Sequence, residues 1–152
     1  MPHEQLDVTN RRLLRELHED PRISMSGLGR RVGLSAPAVT ERVQRMERAG
    51  IINGFRMDVD PAALGLPVTA FVRVRPAPGQ LTRIAELAAS LDQVSECHRI
   101  TGEDCFLIKV HAATIAGLEE LLDQFLIHGQ TVSSIVVTSP VPARALPVTD
   151  SD

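Results

Sequence analysis

Residues 22–54, RISMSGLGRRVGLSAPAVTERVQRMERAGIING, are the most informative stretch of the chain. Ser24 heads a short helical segment to Val32 that turns Met25, Leu28 and Val32 to one side. Gly27 and Gly29 each weaken such a helix by about 1 kcal/mol relative to alanine, although small residues also admit a close neighbour. Gly33 then supplies the positive φ of a sharp turn between helices. Ser35 is placed to cap a further helix through about Arg48, with Pro37 tolerated in its first turn. Val39, Val43 and Met46 fall at i, i+4 and i+7 and face a core, which leaves Pro37, Ala38, Thr40, Glu41, Arg42, Gln44, Arg45 and Arg48 outward. Beyond Gly50, Asn53-Gly54 lies between Ile51-Ile52 and Phe55-Arg56, a strong short signal for a hairpin. Helix, glycine turn, capped helix and hairpin make a winged helix-turn-helix, a shape that fits the major groove of DNA.

On the N-terminal side, LDVTNRRLLRELHE (6–19) brings Leu6, Leu13, Leu14 and Leu17 near helical spacing, with Asp7 or Thr9 as cap. Asp20-Pro21 stops that helix. On the C-terminal side, the connector from Asp58 to Pro67 holds two prolines and a glycine, and 58–66 read as a hinge after a first domain spanning 1–57. The period then changes. Val68 to Arg75 alternates as a strand, and Leu81, Ile84, Leu87, Ala88 and Leu91 form one helix face. Val94–Thr101 and Cys105–His111 read as strands joined at Gly102-Glu103-Asp104; Ile115, Leu118, Leu122, Phe125 and Leu126 mark a helix, and Thr131–Thr138 a last strand. The order βαββαβ over 67–140 predicts an antiparallel four-stranded sheet with both helices on one face, an α+β ferredoxin-like domain. The segment 141–152, proline-rich from Pro140, is expected to be extended or mobile.

Charge is spread unevenly along a chain whose formal net charge is -3. Residues 22–56 carry seven arginines (22, 30, 31, 42, 45, 48 and 56) against Glu41 and Glu47, the balance a phosphate-facing surface needs. No apolar run approaches the ~20 residues that span a bilayer, and MPHEQLDVTN lacks the regions of a signal peptide, so the expected compartment is the cytoplasm. Cys97 and Cys105 match neither a metal clip nor a disulfide framework and are expected to be buried free thiols. The five histidines form no HxxxH or HExxH element, so no metal and no cofactor are expected.

These residues together resemble the Lrp/AsnC, or feast/famine, family of bacterial and archaeal transcription regulators. The resemblance runs from Leu6 to about Pro140 and rests on LDVTNRRLLRELHEDPR, VGLSAPAVTERVQRMERAGIINGF, DPAALG and CHRITGEDCFLIKV in that order and spacing. Gly27 and Gly29 stand where glutamate and alanine are more usual. The resemblance implies a reading domain joined to an effector domain, dimers formed through the effector-domain sheets and often assembled into octamers, binding to operator DNA, and a response to small molecules, most often amino acids. A non-enzymatic regulator is therefore expected. The alternative is an enzyme like the siroheme decarboxylases, which resemble this two-domain family and use histidines in a cleft; His98 and His111 fall on adjacent predicted strands. A ligand-binding module that has lost DNA binding is a third reading.

On the regulator reading, Ser35 and the helix N-terminus meet a phosphate, while Thr40, Glu41 and Arg42 lie in the turns that reach base edges, beside Pro37 and Ala38. Arg42 or Arg45 is the candidate guanine contact, and Arg30, Arg31, Arg48 and Arg56 are backbone contacts. At the Thr101-Gly102-Glu103-Asp104 turn, Gly102 permits close approach and Asp104 accepts from an α-ammonium group. Exposed turn N–H groups would hold the carboxylate. The resemblance carries the effector role to Gly102 and Asp104, with Thr101 and Glu103 as weaker candidates and Ser133 and Ser134 as possible neighbours. The bland reading of the same turn is that it closes a hairpin.

Overall fold

The computed structural model describes residues 6–149. His3 and the tip of the tail, residues 150–152, lie outside that range. By contacts the chain divides into two compact units: one runs to Met57 and takes in the segment from Val141 onward, and the other is Asp58–Pro140.

The first unit holds α1 (Val8–Glu19), α2 (Met25–Val32) and α3 (Ala36–Arg48). Each begins at a side-chain cap. Asp7 accepts from the Asn10 N–H at 2.6 Å, Ser24 from Gly27 and Ser35 from Ala38, which satisfies donors the first helical turn cannot pair internally. The predicted cores recur: Leu13, Leu17, Leu28, Val32, Val39, Val43 and Met46 are all buried in one cluster, with Met25 only partly so. Gly33, at φ +75°, turns the chain from α2 into α3. Gly29 has a different purpose. A Cβ built there would lie 2.5 Å from the Leu34 carbonyl oxygen, so the glycine lets the incoming turn pack directly on α2.

The predicted wing does not form. After α3 the Gly50 N–H bonds the Glu47 carbonyl and the Ile51 N–H bonds Met46, so the helix closes in a Schellman arrangement. Ile51 and Ile52 then pack on the helical core, and no strand follows before Val68. A two-residue Asn-Gly hairpin turn needs positive φ at both residues. Among the described residues Cys105 is the sole non-glycine with positive φ, so Asn53 does not adopt that turn. The first unit is a plain helix-turn-helix. The hinge contains a short 3-10 turn, Pro61–Leu64, capped by Asp60.

The second unit has the predicted order: β1 (Val68–Pro76), α4 (Leu81–Ser90), β2 (Val94–Arg99), β3 (Phe106–Ala112), α5 (Ile115–Leu126) and β4 (Gly129–Ile135). The sheet order is β2-β3-β1-β4, with every neighbouring pair antiparallel. Alternation sorts its faces. Ala70, Val72, Val74, Phe106, Ile108, Val110 and Ala112 pack against Ile84, Ala88, Leu118, Leu121 and Phe125 of the two helices. Thr69, Phe71, Arg73 and Arg75 of β1, and their cross-strand partners Leu107, Lys109, His111, Gln130, Val132 and Ser134, lie on the opposite, uncovered face. The cysteines depart from expectation: both are free, but Cys97 is exposed and Cys105 half-buried. Cys97 sits on edge strand β2, where periodicity is correct but no second neighbour covers it.

Candidate nucleic-acid interface and effector turn

α3 offers a solvent-facing row that begins at its cap. Ser35, Pro37, Glu41, Gln44, Arg45 and Arg48 are exposed, while Ala38, Thr40 and Arg42 are half-buried. The Ser35 hydroxyl accepts from Ala38, so its own proton stays available to an anion at the helix N-terminus. Thr40 instead donates to the Ala36 carbonyl at 2.8 Å, which spends its hydroxyl proton within the helix.

The arginines divide into two groups that the sequence did not separate. Arg42 is fastened inward, donating to Asp7 Oδ2 at 2.8 Å and Asn10 Oδ1 at 3.1 Å on α1. Arg31 is held by Glu16 at 3.0 Å, with Asp20 at 3.8 Å. Arg45 pairs with Glu41 one turn earlier on the same exposed face. Among the described residues Arg30, Arg48 and Arg56 form no ion pair, and all three are exposed. Of the two candidates for a guanine contact, Arg45 is therefore the one that faces solvent, held by an exposed pair that a base can displace at little cost. Asn10 was missed in the sequence. Its signal was its place one helical turn after the Asp7 cap.

The 101–104 turn joins β2 to β3 through tight backbone bonds, Ile100 N–H to Cys105 and Phe106 N–H to Asp104. Cys105 has φ +56° and Gly102 φ +102°. A Cβ at Gly102 would meet nothing within 4 Å, so glycine is needed there for the backbone angle and no packed neighbour explains it. The carboxylates of the turn are not isolated. Glu103 accepts from Arg75 at 2.6 Å, and Asp104 lies 3.6 Å from Arg75 and 3.7 Å from Arg73. Both arginines were overlooked as site residues, although the V-T-A-F-V-R-V-R alternation of β1 already places them together on one face.

Ser133 and Ser134 do not join this group. Ser133 pairs with Val72 on the helix-covered side, and Ser134 pairs with Phe71, four residues along β1 from Arg75. The uncovered face also carries two polar rows. Glu96 accepts from His98 at 3.1 Å with Lys109 at 3.6 Å, and its carboxyl is held below the usual range by His98 first and Lys109 after it. His111 bridges Thr69 at 3.0 Å and Ser95 at 2.8 Å, and burial, then Lys109, push its pKa down. His98 and His111 are thus engaged in separate hydrogen-bond rows. Among the described residues no three potential metal ligands cluster, and no helix is long and apolar enough to cross a membrane.

Comparison with known proteins matches both units. The AsnC-type helix-turn-helix domain matches residues 6–47, and the Lrp/AsnC ligand binding domain matches residues 69–146. The transcriptional regulator LrpC of Bacillus subtilis is 33% identical over 132 residues, 87% of this chain and 92% of that protein. Its solved structure aligns with a TM-score of 0.82 at 32% identity, covering 89% of this chain and 96% of that one. The leucine-responsive regulatory protein of Escherichia coli K12 is 33% identical over 129 residues, 83% of this chain and 79% of that protein. A Neisseria meningitidis transcriptional regulator solved in complex with L-Met aligns with a TM-score of 0.82 at 25% identity, covering 94% and 97%. With the three capped helices matched by one domain of the family and the uncovered sheet by the other, the chain belongs to the Lrp/AsnC family of transcriptional regulators.

Proposed function

We propose that this regulator reads a two-fold DNA site with α3, pairs with a second copy through the uncovered sheet face, and answers to an amino acid at the 101–104 turn. The observation that carries the DNA reading is the exposed row from Ser35 to Arg48 on a helix whose inner face is locked to its own core. Ser35, Pro37, Ala38, Thr40 and Glu41 line the approach to the groove, and Arg45 takes the guanine contact. Arg30, Arg48 and Arg56 meet phosphates, and Arg31 and Arg42 contribute by holding the helices in place. Pairing is supported by Phe71 and Val132, which are 38% and 52% exposed on the uncovered face of a four-stranded sheet. Higher assembly to an octamer proceeds from such dimers. The regulator works in the bacterial cytoplasm, by binding and without turnover.

For the effector, two guanidiniums and two carboxylates at one turn offer both poles that a zwitterion requires. Asp104 is the acceptor for the ammonium group, because its arginine contacts are longer than a hydrogen bond and leave oxygen lone pairs open. Arg75 and the turn N–H groups receive the carboxylate, with Thr101, Gly102 and Glu103 shaping the turn. The leucine-responsive relative and the L-Met complex support an amino acid as the ligand class.

A gel shift on the chain's own upstream DNA tests the central claim. Arg45→Ala is expected to lower affinity for that site by about 1–3 kcal/mol more than for random duplex. Equal loss on both would make Arg45 a phosphate contact. No binding by the unaltered chain to any two-fold site would remove the reading.

A further inference from the structure

The chain returns to its first unit after completing the second. Beyond β4, residues 136–149 contain Pro140, Pro142 and Pro147 and no glycine. Their far end lies along α1: Arg15 donates to the Val148 carbonyl at 3.3 Å and Arg11 to the Thr149 carbonyl at 2.9 Å. Arg11 and Arg15 stand one helical turn apart, so the tail runs antiparallel to α1 and meets two guanidiniums in succession. Guanidinium donors make these bonds stronger than neutral ones. Prolines hold the intervening chain extended, so it carries displacement where a glycine-rich linker would absorb it.

We propose that the C-terminal segment is a strap: it fastens α1 to the direct continuation of β4, and through it a change in the sheet unit is felt by the reading helices. α1 is in turn bound to α3 through Asp7 and Arg42, which completes the route. The strap gives the helix-turn-helix a second tether, hydrogen-bonded at α1, besides the covalent 58–66 hinge. A ligand can alter DNA affinity through it only if docked and undocked tails differ in how they hold α1. This proposal rests on the reading of the chain as an effector-responsive DNA binder.

Two variants of the full protein test it, one ended at Pro140 and one carrying Arg11→Ala with Arg15→Ala; Arg83→Ala, which breaks an exposed pair on α4, is the control. Backbone amide exchange over Val8–Glu19 is expected to quicken about fivefold in either variant and no further when both changes are combined. Unchanged exchange would overturn the strap. The second measurement screens the twenty amino acids for one that raises the melting temperature of the unaltered chain, then follows DNA affinity with and without it. The unaltered chain is expected to change affinity at least about fivefold. Both variants are expected to keep the thermal shift and DNA binding yet lose that change. A retained change overturns the coupling. If no amino acid shifts the melting temperature, the effector reading fails separately, and the strap stands or falls on the exchange result.

Discussion

Arg42 Nη1 lies 2.8 Å from Asp7 Oδ2, so the middle of the proposed reading helix is tied to the residue that caps α1. One carboxylate thereby does two jobs, accepting from the Asn10 amide at the start of α1 and anchoring α3. The pair leaves Asp7 half exposed at 52% and Arg42 at 31%. Its importance is geometric: it fixes the rotation of α3 about its axis and hence which side chains face outward.

Asp7→Asn separates the two jobs, because asparagine caps as well as aspartate but carries no charge. The variant is expected to lose at most about 1 kcal/mol of stability at neutral pH, the range of a solvent-exposed pair. The Asp7 carboxyl is held below its ordinary value by the Asn10 N–H first and Arg42 second. A depressed carboxyl contributes stability above its unfolded pKa and loses it as pH falls through the folded value. The gap between the variant and the unaltered chain in urea melts should close below about pH 4. A gap that persists in acid would mean the charge is irrelevant.

Arg42→Ala should weaken DNA binding by similar factors on the operator and on random duplex, since its effect is on helix placement. Gel shifts on both duplexes measure this. A loss confined to the operator would return Arg42 to the base-reading role that its position in the first two turns suggested.

The two glycines of α2 should respond unequally to added bulk. At Gly29 a methyl group meets backbone, the Leu34 carbonyl at 2.5 Å, which cannot swing aside. Gly29→Ala is expected to cost about 1–3 kcal/mol by overpacking. At Gly27 the nearest atoms are Ile23 Cγ1 and Ser24 Oγ, both at 3.1 Å on side chains that can shift by tenths of an ångström. There the helical gain of up to about 1 kcal/mol offsets the crowding, and Gly27→Ala stays near the unaltered stability. Thermal melts followed at a helical wavelength distinguish them, and equal destabilisation would refute the close-approach account.

Periodicity carried most of the fold because each element buries one stripe against one core. Val39, Val43 and Met46, or Val72 and Val74, need no partner sequence to reveal their face. The Ser35 cap was equally legible, since it acts on an amide three residues away, whereas Ser24, read as the start of its helix, proves to be its cap. What was not legible depends on distant chain. The Asn53-Gly54 dipeptide looks the same whether or not flanking residues find a sheet, and here Ile51 and Ile52 are drawn into the helical core. The Cys97 position reads as buried by alternation, yet edge placement leaves it open. Most of the site followed the same rule: the outward placement of Arg45 and Arg48 was readable, but Arg42 is drawn half inward, and the Arg42–Asp7, Arg31–Glu16 and Arg75–Glu103 pairs arise from elements far apart in sequence. The docking of residues 148 and 149 on α1 had no local signal at all.

His111 should titrate below the ordinary histidine value near 6.5. Burial of the ring, which bridges the Thr69 and Ser95 hydroxyls, lowers the pKa first and Lys109 on the same strand second, while Glu96 acts the other way. The unfolded chain then binds the proton more readily than the folded one, so stability from this group is full above about pH 6.5 and falls as pH drops toward the lower folded value. An NMR titration of the ring protons gives the midpoint directly. A midpoint above 6.5 would show that Glu96 outweighs burial.

The turn carboxylates and their arginines make opposite predictions for a zwitterion. If Asp104 holds the ammonium group, Asp104→Asn keeps the shape and a carbonyl acceptor but loses the charge, and amino-acid affinity should fall by about 1.5–3 kcal/mol, the value of a hydrogen bond to a charged group. Arg75→Ala removes the cation proposed to face the carboxylate and at the same time frees Glu103, so the turn becomes net acidic. It should lose binding of free amino acids but retain more affinity for the corresponding amino-acid amides, which present no carboxylate. Calorimetry with an amino acid and its amide on both variants therefore yields a crossed pattern: Asp104→Asn weakens both ligands, and Arg75→Ala weakens the acid far more than the amide. Parallel losses in the two variants would mean that the Arg75–Glu103 pair, at 2.6 Å, merely staples the turn to β1 and that the ligand binds elsewhere.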